Sequence, residues 1–122
     1  VAQAVLWQRA EGLIIFLAGL AIFWHCNETI TWWGALALFF APDVSFLSYP
    51  LGPRVGAFCY NVMHIYALGA ALLAIGLTAS LPLITAIGAL WLAHAGFDRM
   101  LRYGLKLPES FSFTHLGQIG RQ

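Results

Sequence analysis

The stretch GLIIFLAGLAIFWHC, residues 12–26, runs without a single Asp, Glu, Lys or Arg, and its reading decides the fold. Extended back through AVLWQ, it approaches the roughly 20 apolar residues that a helix needs to cross a hydrocarbon core about 30 Å thick. The whole chain is built in the same way. Of its 122 residues, 61% are hydrophobic and 9% charged, with a mean hydropathy of +0.79. Soluble domains are roughly 45–50% apolar and about 25% charged, so the composition predicts an integral membrane protein of the all-α class. A cleaved signal peptide is the competing reading of the run. FWHCN lacks the small-x-small cleavage pattern, and Arg9 and Glu11 lie upstream, so the run is read as a helix.

Working outward, TITWWGALALFFAPDVSFLSY (29–49) predicts a second helix that Pro42 kinks just before Asp43. PLGPRVG (50–56) is a turn, punctuated by two prolines and two glycines. Residues 54–79 predict the longest clean span. TASLP is a tight connection to 82–103, which opens on Pro82 at a first-turn position where its missing N–H does no harm. The expectation is an up-down-up-down four-helix bundle in one domain, residues 1–104, with helices at 4–26, 29–49, 54–79 and 82–103. A polar cytoplasmic tail, 105–122, follows.

With four spans, one side of the membrane holds all six basic residues: Arg9, Arg54, Arg99, Arg102, Lys106 and Arg121. The positive-inside rule then puts both termini in the cytoplasm and the protein in the cell (inner) membrane. Trp7 and Tyr103 mark one interfacial belt, and Trp24, Trp32 and Trp33 the other. A net charge of +1 without a basic stripe excludes a nucleic-acid partner. Cys26 and Cys59 lack metal or disulfide spacing and read as small apolar fillers. Small residues, Ala67, Ala70, Ala71 and Ala74 on the third helix and Ala86, Ala89, Ala93 and Gly96 on the fourth, predict a close antiparallel seam between the two.

The polar residues are clustered by depth. At 1.5 Å per residue, His64 lies about 15 Å in from Arg54, and His94 about 14 Å in from Tyr103. Antiparallel neighbours therefore hold the two histidines at one level. Asn61 and His64 share one helix face, and so do His94 and Asp98. An intramembrane Asp costs about 2.5–3.5 kcal/mol on translocon scales, so these groups should face the interior. Glu11, Asp43 and Asp98 are expected to converge near the cytoplasmic mouth, neutralised by Arg54 and Arg99 in bidentate pairs.

Two enzymatic readings follow for an apolar or lipid-like substrate entering from the bilayer. In an acid–base site, Asp98 or Asp43 donates a proton and His64 or His94 accepts it. In a metal-assisted site, His64, His94 and Asp98, joined by Glu11 or Asp43, hold a divalent ion with open positions. Tyr60, Asn61, Arg54, Arg99 and Tyr103 are the expected substrate-binding residues. The alternatives are a small-solute or proton transport module lined by the same cluster, and an accessory or scaffold subunit of a larger membrane complex or homo-oligomer.

APDVSFLSYPLGPRVGAFCYNVMHIY and WLAHAGFDRMLRYGLKLPESFSFTHLG resemble a family of small, mostly bacterial four-helix membrane proteins catalogued as a domain of unknown function, of the four-two-six-zero type. The resemblance covers nearly the whole chain. It rests on Pro42 with Asp43, on Tyr49, on the Gly52-x-Arg54-x-Gly56 turn, and on Tyr60, Asn61, His64 and Tyr66. In the second block it rests on His94, Gly96, Asp98, Arg99, Tyr103, Gly104, Lys106, Thr114, His115 and Gly117. Arg102 stands where relatives tend to carry glycine. The resemblance implies that the tail joins the polar set, with Thr114 and His115 folding back over the cytoplasmic mouth and His115 as a further substrate-binding residue. It implies positions, not an activity.

Overall fold

The helices follow from the apolar runs, and their order around one another follows from where glycine permits contact. The computed structural model describes residues 2–106 and 113–118. Among these lie α1 (Ala2–Cys26), α2 (Trp32–Phe40), a 3₁₀ segment (Ala41–Leu51), α3 (Pro53–His64), α4 (Tyr66–Thr78), α5 (Pro82–Met100), and a two-stranded hairpin of β1 (Phe113–Thr114) and β2 (Gly117–Gln118). Two helical runs, α1 and 32–51, are long and apolar enough to cross a membrane, and α3 with α4 makes a third if that bent pair is one span.

The helix bounds depart from the sequence expectation in three places, each with a local cause. The predicted helix 29–49 begins at Trp32, because Asn27 folds the preceding loop by bonding both the N–H and the C=O of Ile30. Thr31 then caps the N–H of Gly34 at 3.1 Å. Its second half is 3₁₀ rather than a kinked α-helix. The clean span 54–79 is instead two helices bent by 41° at Ile65, whose backbone is extended. The last predicted helix stops at Met100, where Arg102 takes a φ of +71°. That left-handed conformation suits glycine better than a residue with a side chain.

α5 is the axis. It runs antiparallel to α1 on one side and to α4 on the other, and most of its length is covered by protein. A helix lined by protein needs no continuous apolar surface, which is why α5 carries His94, Asp98 and Arg99. The seam with α1 forms at Gly12 and Gly96: a Cβ on Gly12 would fall 2.6 Å from the Gly96 carbonyl oxygen. The seam with α4 is equally close, a Cβ on Gly76 falling 2.4 Å from the Thr85 nitrogen.

This corrects the predicted seam. Ala67, Ala70, Ala71 and Ala74 are exposed, and α4 turns Gly69 and Gly76 toward α5 instead. Ala89, Ala93 and Gly96 face α1 rather than α4. Two neighbours share the surface of α5, so its small residues divide between two seams. Phe16, Phe39 and Phe97 pack against one another where α1, α2 and α5 meet, with ring centroids 5.2–5.9 Å apart.

Gly96→Ala is expected to lower stability by about 1–3 kcal/mol, since α1 must move to admit the methyl. Ala70→Leu, on the outer face of α4, should stay within about 0.5 kcal/mol of the parent. Arg102→Gly should exceed Arg102→Ala by about 1 kcal/mol, because both lose the side chain but only glycine relaxes at that φ. Denaturant unfolding in detergent micelles measures all three.

Candidate metal centre

The 3₁₀ segment and α3 are held together by a match of rhythm. Residues i and i+3 of a 3₁₀ helix eclipse at about 2.0 Å per residue, so a side chain recurs every ~6 Å. On an α-helix, i and i+4 recur at about the same interval, 1.5 Å per residue. Asp43, Phe46 and Tyr49 therefore stand rung for rung against His64, Tyr60 and Gly56. Tyr49 lies over Gly56, where a Cβ would meet its ring at 2.4 Å; Phe46 stacks on Tyr60 at 5.4 Å; and Asp43 Oδ1 lies 3.1 Å from His64 Nε2. Ser45 and Ser48 return their hydroxyls to carbonyls three residues back, at 2.8 and 2.7 Å.

The break at Ile65 ends α3 at His64 and leaves carbonyls in need of donors. Two of them find side chains: Trp91 Nε1 donates to that of Met63 at 2.8 Å, and Arg99 Nη2 to that of His64 at 3.1 Å. One turn earlier, His64 Nδ1 adds a donor to the Tyr60 carbonyl at 2.8 Å. Trp91 and Arg99 both belong to α5, so the end of α3 is fastened to the axis helix. A cation at a helix C-terminus also faces the negative end of its dipole.

α5 then delivers His94 and Asp98, one turn apart, to the same point. His64 Nε2 lies 3.1 Å from His94 Nε2 and 3.4 Å from Asp98 Oδ2. His94 Nε2 lies 3.2 Å from Asp43 Oδ1 and 3.5 Å from Asp98 Oδ2. All four ligand atoms fall within 4.8 Å of one another. Ligands about 2.0–2.1 Å from a central ion at the corners of a tetrahedron are about 3.3–3.4 Å apart, close to the five separations above.

A single proton on the two imidazole Nε2 atoms cannot serve His64, His94, Asp43 and Asp98 all at once. The Tyr60 carbonyl can only accept, so His64 Nδ1 carries the hydrogen and, in the neutral ring, Nε2 presents a lone pair. At 3.1 Å the two Nε2 atoms admit at most one proton between them. A lone pair and two carboxylates are thereby aimed at one spot. A cation placed there satisfies them together. Both histidines are fully buried, Asp98 is nearly so, and the Asp43 side chain is 34% exposed, which makes Asp43 the open edge of the centre.

The surroundings fix these groups. The Tyr60 ring stacks on His64 at 3.7 Å, and its hydroxyl donates to Asp98 Oδ2 at 3.2 Å. Asn61 clasps the backbone of Lys106 with two bonds, of 2.6 and 2.8 Å, and the Lys106 ammonium lies 5.0 Å from the centre of the Tyr60 ring. The tail folds back: His115 and Leu105 exchange two bonds, and Arg102 Nε donates to the Leu116 carbonyl. Thr114 is buried in this turn and His115 is exposed, so the tail braces residues 102–106 rather than touching the centre.

Several expected partners lie elsewhere. Glu11 and Arg54 are exposed and have no place in the cluster. Arg99 is buried, but its guanidinium serves the carbonyls of His64 and Tyr103 and the face of Tyr66, not a bidentate carboxylate pair. The Tyr103 side chain is exposed; its backbone accepts from Arg99 and donates to the Asp98 carbonyl at 2.7 Å. Among the described residues, every short ion pair joins a histidine to Asp43 or Asp98. The sequence reading missed Trp91 and the Phe46 row, whose signals were an indole within reach of the break and an i, i+3 pattern.

Helices apolar enough for a membrane, around a buried cluster of two histidines and two aspartates, define the class of protein. The chain belongs to the family described as Domain of unknown function (DUF4260), whose model matches residues 5–119. No curated protein and no solved structure matches it.

Trp91→Phe should cost about 1–3 kcal/mol of stability by leaving the Met63 carbonyl without its donor, as read by unfolding in micelles. A second expectation concerns pH. Burial of the ammonium pushes the Lys106 pKa down from 10.5 to about 8, with Asp98 opposing the shift. Below pH 8 the lysine is charged in both states and opposes folding; the opposition fades as pH rises from about 8 to 10.5. Lys106→Met should flatten that rise in stability.

Proposed function

We propose that this chain is a four-span, up-down-up-down protein of the inner membrane, with both termini cytoplasmic, that holds a divalent transition-metal ion between Asp43, His64, His94 and Asp98. The ion serves metal-assisted chemistry on an apolar or lipid-like substrate. The observation that carries the reading is the convergence of two imidazole nitrogens and two carboxylate oxygens at mutual distances suited to one ion. The orientation is supported by the basic end of the molecule, where Arg9 donates to the Met100 carbonyl and Arg102 and Lys106 follow α5. Trp24, Trp32 and Trp33 stand exposed on the side chains of the other end.

Mixed nitrogen and oxygen donors suit Zn²⁺, Fe²⁺ or Mn²⁺, whereas Ca²⁺ and Mg²⁺ favour all-oxygen sites. A bound ion of this kind supplies Lewis-acid polarisation of a carbonyl or phosphoryl oxygen. The protein's own groups do the rest. His64 is locked in the ligating tautomer by the Tyr60 carbonyl, and Tyr60 holds the Asp98 carboxylate by its hydroxyl. Second-neighbour bonds of this kind orient metal ligands and raise their basicity. Asp43, the exposed member, stands where a substrate would arrive.

The test is elemental analysis of the purified protein after equilibration with each metal and gel filtration. About one equivalent per chain is expected for the preferred ion, falling below a tenth in His64→Ala and His94→Ala. Tyr60→Phe should retain the metal but weaken its affinity by about 10-fold or more. A parent protein that binds none of Zn²⁺, Fe²⁺, Mn²⁺ or Co²⁺ overturns the reading.

A further inference from the structure

We infer that the groove between α1, α2 and α5 binds the hydrocarbon chain of a lipid bearing a hydrogen-bond-accepting oxygen, and that His94 Nδ1 donates to that oxygen. The inference rests on the metal reading above, because ligation at Nε2 leaves the ring hydrogen on Nδ1, and it adds a lipid-binding subsite on the far side of the His94 ring from the ion. The groove is a cavity of about 390 Å³ whose lining, including Phe16, Leu20, Leu36, Phe39, Phe40 and Phe97, carries no charged side chain. It lies along the two runs long and apolar enough to cross a membrane, so what meets it is hydrocarbon.

Two of its lining rings lie against one of the four proposed ligands. Phe39 and Phe40 line the groove, and their ring centroids lie 5.2 and 6.1 Å from that of His94. His94 Nδ1 is buried and has no hydrogen-bond partner among the described residues. With Nε2 turned to the ion, the neutral ring carries its hydrogen on Nδ1, and a metal-bound imidazole ordinarily donates that hydrogen to an oxygen. A buried donor left without an acceptor is costly. Carboxylates are absent from the groove lining, so the missing partner is an ester, ketone or alcohol oxygen carried in by an apolar molecule. Phe40, 47% exposed, is the side chain that must turn aside to admit it.

The experiment uses the full-length protein in nanodiscs, a methyl palmitate probe with a diazirine on its chain, and the matching diazirine alkane that lacks the ester. Labelled positions are mapped by mass spectrometry, and metal content is measured on the same samples. The ester should label α1 and α2 at groove residues about tenfold more than the alkane, and Ala35→Trp, which fills the groove, should cut labelling about tenfold with metal content unchanged. Should Ala35→Trp lose the metal, Leu36→Trp at the groove's outer edge decides by the same readouts. Equal labelling by ester and alkane, or labelling indifferent to the tryptophan, overturns the proposal while bound metal leaves the centre standing. Groove labelling in protein that binds no metal upholds the groove and removes the metal reading.

Discussion

A backbone carbonyl without a donor costs several kcal/mol in hydrocarbon, and the last turn of α3 presents carbonyls that its own helix does not serve. The rest of the structure depends on how they are satisfied. Trp91 and Arg99 reach across from α5 to do so. One requirement thus does two things: it permits the break at Ile65 and fastens α3 to the axis helix. The cluster is a consequence of that fastening, because His94 and Asp98 lie on α5 between and beside the two capping residues.

The 3₁₀ segment completes the arrangement from the other side. An α-helix over 41–51 would carry its side chains round by 100° per residue, and Asp43, Phe46 and Tyr49 would spread across the surface. Tightened to three residues per turn, they form one row against α3. Prolines at 42 and 50 and the hydroxyls of Ser45 and Ser48 sustain a length of 3₁₀ helix that is otherwise uncommon. The outcome is a centre whose histidines are sealed, whose second carboxylate is held by Tyr60, and whose first stands at an open edge.

Much of the candidate site was legible in the sequence. Depth arithmetic placed His64 and His94 at one level, and their Nε2 atoms lie 3.1 Å apart. Asp43 and Asp98 were expected beside them and are there. Glu11 was grouped with them because depth along a helix says nothing of the direction in which a side chain points, and Glu11 faces outward. The alanine stripe misled for a related reason. Ala67 to Ala74 have the spacing of a packing face, yet α4 rotates to present the smaller Gly69 and Gly76, which let backbones approach more closely. Arg99 serves carbonyls rather than a carboxylate, and one of those carbonyls lacks a donor only because the helix breaks at Ile65.

By itself the sequence determined the class: long apolar runs compel helices, and ionisable groups set at one depth compel an interior site. Only the tertiary structure decided which helix is the axis, where the longest span breaks, and which four of the polar residues meet. Those outcomes turn on steric fit at glycine and on the satisfaction of particular carbonyls. Both are properties of helices in contact and leave no periodic trace in the chain.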